Sequence, residues 1–232
     1  QTASIIEYNK KDLDRMEDAN PKKDRLLLNE DRIKALAESL HDILKLEDPT
    51  GKVLADNTMQ NGLHIQKISV PIGVVGVIYE ARPNVTIDVA ALCLYAGNAV
   101  VLRGGSDAEF TNEILVKIIH EVLQKNNVDT GAIQLLPVDR KYVKELLEAV
   151  QYVDIIIPRG SQQLIDFVRE NSKVPTIETG AGVCQRRYLA RARLAGRALR
   201  RADQRSVRRR ARRRLDWLAR RQSIGKADSK KC

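Results

Sequence analysis

The sequence predicts an open α/β fold built on a parallel sheet, and three observations carry that reading. The runs Val70 to Tyr79, Ala99 to Leu102, Ile133 to Leu136 and Val153 to Ile157 are predominantly apolar, with Gln134 and Asp154 the polar exceptions, rather than alternating, as in strands buried on both faces. Between them lie segments whose apolar residues recur every three or four positions, so strands and helices alternate along the chain. Glycine, serine, proline and asparagine gather where each run gives way to a helix, which is where open α/β sheets place their ligands.

Residues 1–56 read as helices, with Leu26, Leu27, Ile33, Leu36, Ala37, Leu40, Ile43 and Leu44 at helical spacing and Asp48-Pro49-Thr50-Gly51 as the break. Asn61-Gly62, between Thr58-Met59 and the stretch Leu63 to Val70, predicts a two-stranded hairpin over about 57–70, because both residues tolerate positive φ. The strand from Val70 leads through Glu80 to Asn84 into a helix from about Val85 to Tyr95, whose Val89, Leu92 and Cys93 share a face. Gly97 ends it in the C-cap role. After the strand from Ala99 come Gly104-Gly105 and a helix carrying Ile114, Leu115, Ile118, Ile119 and Val122. A strand at Ile133 to Leu136, a helix over 141–149, the strand from Val153, a helix opened by Gly160-Ser161 and a short strand at 174–177 follow.

Charge divides the chain in two. Residues 186–232 hold 16 Arg and 3 Lys against 3 Asp, a net of +16, whereas residues 1–185 hold 21 basic against 27 acidic residues, a net of −6. The overall +10 therefore says nothing about the partners of the body. The Arg-rich segment has three readings: a basic arm for nucleic acid, an amphipathic helix for an anionic membrane surface, or an out-of-frame translation of GC-rich coding sequence. The third is preferred, because the change falls inside a continuing pattern rather than at a domain boundary. Apolar runs are too short for a membrane span, and residues 1–24 do not form a secretory signal. Three cysteines, Cys93, Cys184 and Cys232, with no CxxC pair and no histidine at ligand spacing, predict neither a disulfide framework nor a metal site and fit a reducing cytoplasm.

The run from Val70 through Ile78-Tyr79-Glu80-Ala81-Arg82-Pro83-Asn84-Val85-Thr86, followed by Gly97-Asn98-Ala99-Val100-Val101-Leu102-Arg103-Gly104-Gly105, resembles the γ-glutamyl phosphate reductases, also called glutamate-5-semialdehyde dehydrogenases. The likeness extends upstream through Asp24-Arg25-Leu26-Leu27-Leu28 and Asp48 to Gly51, and downstream to Glu178 through Cys184. It implies an aldehyde dehydrogenase-like fold: a cofactor domain, a catalytic domain and a hairpin used for homo-oligomerisation. It also implies NADPH-dependent reduction of γ-glutamyl phosphate to the semialdehyde with release of phosphate, in proline synthesis. Residues 1–185 would be a portion of the NADP-binding part, entered partway through its first helical segment, and the catalytic domain would be missing. The other reading of the chain as it stands is a non-catalytic binding protein for nucleotides or, through its basic segment, for polyanions.

The resemblance assigns candidate residues. Tyr79, Glu80 and Arg82 line the turn after the first parallel strand, and Asn84 is similar in position to an asparagine that donates its amide to a developing oxyanion. On pattern alone Pro83-Asn84 is a capping and turn device. Arg103, with Gly104, is placed to reach a ribose or the additional phosphate of NADPH; the plain alternative is a solvated arginine at a strand end. Gly160 and Ser161 resemble a glycine-serine turn whose backbone N–H groups meet cofactor phosphates at a helix N-terminus, although serine before a helix is also a common N-cap. The GxGxxG fingerprint is absent, which the aldehyde dehydrogenase type of cofactor site does not use.

The reaction implied needs a thiolate, and none of the three cysteines suits it. Cys184 is followed by Gln185 where the family continues with His, Cys93 sits on an apolar helix face, and Cys232 is terminal. The nucleophile is expected in the missing domain. Glu178 stands where many aldehyde dehydrogenases hold a general base, and Tyr95 stands where the family more often has Lys. His41, His64 and His120 are expected on surfaces without partners.

Overall fold

A computed structural model describes residues 1–80 and 82–178 of the chain. Helices α1 (Thr2–Asp14), α2 (Lys22–Leu26) and α3 (Glu30–Leu44) come first, and the hairpin strands β1 (Val53–Thr58) and β2 (His64–Ile68) follow. Then come β3 (Val74–Tyr79), α4 (Pro83–Tyr95), β4 (Ala99–Arg103), α5 (Glu109–Lys125), β5 (Ile133–Leu135), α6 (Arg140–Glu148), β6 (Ile155–Arg159) and α7 (Gln162–Asn171). The main sheet has the order β5-β4-β3-β6 and is parallel throughout. The chain winds outward from β3 to β5, then crosses back to lay β6 on the other side of β3. Helices that leave β3 and β6 therefore part to opposite faces, and the carboxyl ends of these two strands bound a crevice.

All six residues of β3 are buried, the consequence of its central place. Val75, Val77 and Tyr79 pack with Val85, Ala90, Cys93, Val116 and Leu123 on the α4 and α5 face. Val74 and Ile78 pack with Val143, Leu146, Leu147 and Val168 on the α6 and α7 face. A third layer forms where Ile5 and Leu28 meet Leu115, with Ile33 and Leu36 against it. Polar groups lock that layer. Asn9 donates to the Leu26 carbonyl (2.9 Å) and accepts from the Leu28 N–H (2.8 Å). Asp12 accepts from the backbone N–H and the hydroxyl of Thr111 at 2.7 and 2.6 Å.

Several expectations shift. The helical segment ends at Leu44, and β1 begins at Val53, earlier than the hairpin expected over 57–70. Only Gly62 of the Asn61-Gly62 pair has positive φ; the connection runs from Met59 to Leu63, closed by Met59 N–H donating to the Leu63 carbonyl. Pro71 and Gly73 (φ 122°) hold the chain out of the ladder until Val74. The stretch 174–177 makes a single bridge, Thr176 to Ile156, rather than a strand. On α4, Val89 and Cys93 face the core, but Leu92 is 44% exposed. Both hairpin strands are exposed along their whole length. Among the described residues no helix is long and apolar enough to cross a membrane.

Candidate functional site

A cavity of about 460 Å³ opens at the crevice between the ends of β3 and β6. Tyr79, Glu80, Arg82 and Val85 wall one side, Arg159, Gly160, Ser161 and Ile165 the other, and Lys22 and Arg25 of α2 close the third. Five of the residues singled out in the sequence, Tyr79, Glu80, Arg82, Gly160 and Ser161, thus meet in one place. Arg103 and Gly104 do not join them. They end β4, one strand away, beside a smaller cleft lined by Gly104, Asn112 and Leu135 to Val138.

Each part has a local cause. Tyr79 is only 1% exposed, because it is the last residue of the central strand. Its hydroxyl bonds the Thr86 hydroxyl at 2.7 Å, which donates to Asn112 Oδ1 at 2.7 Å. Burial holds the phenol well above its ordinary pKa, so Tyr79 is neutral at all working pH values. Gly104 exists to admit this chain: a Cβ there would lie 2.2 Å from Asn112 Nδ2.

Glu80 leaves β3 toward β6, where its carboxylate accepts a hydrogen bond from the Ser161 hydroxyl at 2.7 Å. Ser161 is the N-cap of α7 and accepts from the Leu164 N–H. A Cβ on Gly160 would meet Glu80 Cδ at 2.8 Å. A side chain at this position would have to push aside the carboxylate folded over it.

Pro83 occupies the first helical position of α4, and Arg82 stands at its N-cap without a side-chain capping bond. Asn84 is the second residue of the helix, half-buried, and it caps nothing. Proline's fixed φ starts this helix, so the turn-device reading holds for Pro83, while Asn84 makes no capping bond among the described residues.

Arg103 is half-buried and donates to the Val138 carbonyl at 2.6 Å. Its Nε is buried and has no partner among the described residues. Burial, then the nearby charge of Arg140, lowers its pKa from the usual arginine value. This is not the solvated arginine of the plain reading.

Tyr95 donates its hydroxyl to the Leu46 carbonyl, tying the end of α4 to the segment after α3. Glu178 lies 3.7 Å from the Arg169 guanidinium. Two histidines expected to lack partners have them. His64 is 2.6 Å from Asp56 across the hairpin, and His120 contacts the Ile133 carbonyl at 2.7 Å. Cross-strand adjacency and helix-to-sheet packing supply these contacts, and neither leaves a mark in local sequence. Cys184, Cys232 and the Arg-rich segment lie outside the described residues.

Sequence reasoning missed Lys22, Arg25 and Arg159. Arg159 had a signal, since it ends β6 and precedes Gly160 just as Arg103 ends β4 and precedes Gly104. Lys22 and Arg25 reach the crevice only through tertiary folding.

Such a sheet, with its cavity at the switch of strand order, defines a class of ligand-binding open α/β domains. The chain belongs to the aldehyde dehydrogenase family, whose family model matches residues 1–181. It is 52% identical over 184 residues to the gamma-glutamyl phosphate reductase of Bacteroides fragilis (strain YCH46), covering 79% of this chain and 44% of that protein. To the enzyme of the same name from Chlorobium chlorochromatii (strain CaD3) it is 55% identical over 183 residues, with the same coverage. The crystal structure of gamma-glutamyl phosphate reductase from Thermotoga maritima superposes with a TM-score of 0.74 at 37% identity, over 78% of this chain and 44% of that one. The Saccharomyces cerevisiae protein gives 0.68 at 31%, over 78% and 46%. The chain thus spans a little under half the length of these relatives.

Proposed function

We propose that this chain is the cofactor-binding portion of an NADPH-dependent reductase that converts γ-glutamyl phosphate to glutamate 5-semialdehyde and phosphate, the second step of proline synthesis. The observation that carries the reading is the match of 52–55% identity, across four-fifths of the chain, to proteins of that name. These relatives favour the reductase over a non-catalytic binding protein.

Two features fit a dinucleotide. Arg103 Nε is buried at the end of β4 without a partner among the described residues, and a side chain on Gly160 at the start of α7 would have to displace the Glu80 carboxylate. Arg103 and Gly104 would hold the ribose and its phosphate. Gly160 and Ser161, with the N-terminus of α7, would meet the bridging phosphates, and Tyr79, Glu80 and Arg82 would wall the crevice. When bound, the cofactor supplies the hydride. Asn84, whose amide has no bond among the described residues, is the candidate donor to the oxyanion.

The nucleophile belongs elsewhere. Cys93 is buried, and burial pushes its thiol up to about 11, the opposite of what an attacking thiolate needs. The hairpin is the proposed contact for a second copy: Val53, Leu54, Ile65 and Ile68 are each about half-exposed on a two-stranded ribbon with neither face covered. The setting proposed is the cytoplasm.

The test is to titrate the purified chain with NADPH, with and without residues 186–232, and to assay phosphate-dependent oxidation of glutamate semialdehyde by NADP+. Binding without turnover is expected. Absence of binding, or robust turnover, refutes the assignment.

A further inference from the structure

The crevice gathers more positive charge than its surroundings explain. Lys22 and Arg25 come from α2, Arg82 from the turn after β3 and Arg159 from the end of β6, so three remote segments bring four cations to one cavity. This happens on a body whose net charge is −6 over residues 1–185.

The carboxylates that could neutralise them are engaged elsewhere. Asp24, next to Arg25, pairs with Arg32 at 2.7 Å. Asp18 pairs with Lys23, and Asp166 with Arg169. Glu80, the single carboxylate among the described residues of the wall, bonds Ser161 instead of an arginine. Lys22 has a distant partner in Asp107 at 3.7 Å. Arg25, Arg82 and Arg159 have no carboxylate within 4 Å among the described residues.

The segment that carries Lys22 and Arg25 is tied to its neighbours. Leu26, beside Arg25, is fully buried, its carbonyl is held by Asn9, and the Leu27 carbonyl accepts from Arg32 at 3.0 Å. A helix of five residues is thereby fixed as a platform for two cations. Three planar guanidinium groups left without counterions in a cavity that admits a small ligand are suited to a tetrahedral oxyanion of charge near −2, which each can meet with paired N–H donors.

We propose that Lys22, Arg25, Arg82 and Arg159 form a clamp for a phosphate group, and that Glu80 is the internal anion a bound phosphate must work against. The reductase reading supplies two sources for that group, the dinucleotide and the acyl phosphate substrate with its inorganic phosphate product. The clamp rests on that reading for its source but not for its existence.

The experiment is calorimetric titration of the full chain with inorganic phosphate at low and high salt, in the parent and in R25Q, R159Q, E80Q and the remote surface control K117Q. R25Q and R159Q are expected to weaken phosphate binding about tenfold each and to reduce its salt dependence. E80Q is expected to tighten it severalfold, an effect that misfolding cannot imitate. Unchanged affinity in both arginine variants with melting curves like the parent, or weaker binding in E80Q, overturns the clamp. NADPH titrated against saturating phosphate then identifies the source: competition assigns the clamp to a cofactor phosphate, and simultaneous binding assigns it to the substrate's. A chain that binds phosphate as described but not NADPH retains the clamp while refuting the cofactor reading.

Discussion

The Ser161 hydroxyl donates to the Glu80 carboxylate at 2.7 Å, joining the end of β3 to the start of α7 across 81 residues of sequence. A negative side chain thus rests at a positive helix terminus, a favourable placement. It lies over Gly160 so closely that a methyl group there would displace it. Because the displaced atoms are the outer part of a flexible side chain, G160A should cost stability only modestly, within about 1 kcal/mol. Its effect should fall on the ligand: NADPH binding weakened by roughly tenfold or more, as backbone approach to the α7 N-terminus is lost. Thermal melting beside NADPH titration checks both. Unaltered affinity would remove Gly160 from the cofactor site.

Gly104 should behave in the opposite way. Its neighbour is Asn112, 1% exposed and bonded to Thr86, which in turn bonds Tyr79. A Cβ 2.2 Å from Asn112 Nδ2 cannot be relieved by a solvent-facing rotation. G104A therefore overpacks a buried site and breaks a buried polar chain, at about 3 kcal/mol. The melting temperature should fall by roughly 10 °C. A fall as small as that of G160A would show that Asn112 can rearrange freely.

Legibility in the sequence followed burial. β3 read as a strand because both its faces are covered and all six of its positions are buried, whereas β6 read as one through its aliphatic start and ends in the exposed Arg159. The hairpin's first strand escaped notice because residues such as Asp56 and Asn57 are exposed on both faces and carry no periodicity. Leu92 looked like core by spacing, yet helix α4 turns that position outward. At the site, the resemblance pointed to Glu80, Arg82, Gly160 and Ser161 because strand-to-helix turns are contiguous in sequence, and the structure brings the four to one crevice. Arg25 went unnoticed, since a helix 57 residues upstream of Arg82 meets it only when the third layer packs. Arg103 and Gly104 lie one strand away from that crevice because they stand at the end of the neighbouring β4, where Arg103 pairs with Ile78.

Asp12 offers a test of how the third layer is held. It is 1% exposed and accepts from the N–H groups of Phe110 and Thr111 and from the Thr111 hydroxyl. D12N places an NH₂ group against one of these donors, so a loss of about 2 kcal/mol is expected at neutral pH. Burial raises the Asp12 pKa above 3.8 despite those bonds. A raised carboxyl pKa means the unfolded chain ionises first as pH rises. Asp12's contribution is thus fullest below 3.8 and declines through its folded pKa. The stability gap between parent and D12N should be widest in acid and narrow as pH rises above about 4. Denaturant melts of both proteins across that window measure it, and a gap that widens instead would contradict the assigned cause.

Cys93 is placed where a thiol is least able to attack. It packs among Val75, Val77 and Ala90 under α4, and burial alone lifts its thiol to about 11. At pH 7.5 it should therefore resist iodoacetamide in the folded chain, reacting slower than in denaturant by roughly a hundredfold or more. Site-resolved mass spectrometry separates it from Cys184 and Cys232. The sign of the pH dependence is fixed as well. The unfolded thiol ionises near pH 9 while the folded one remains protonated, so its contribution is fully present below pH 9 and is lost as pH rises toward about 11. C93A should flatten that alkaline loss while costing packing of about 1 kcal/mol at neutral pH. Rapid alkylation of Cys93 in the native chain would mean that α4 opens readily, and it would return this residue to the candidates for chemistry.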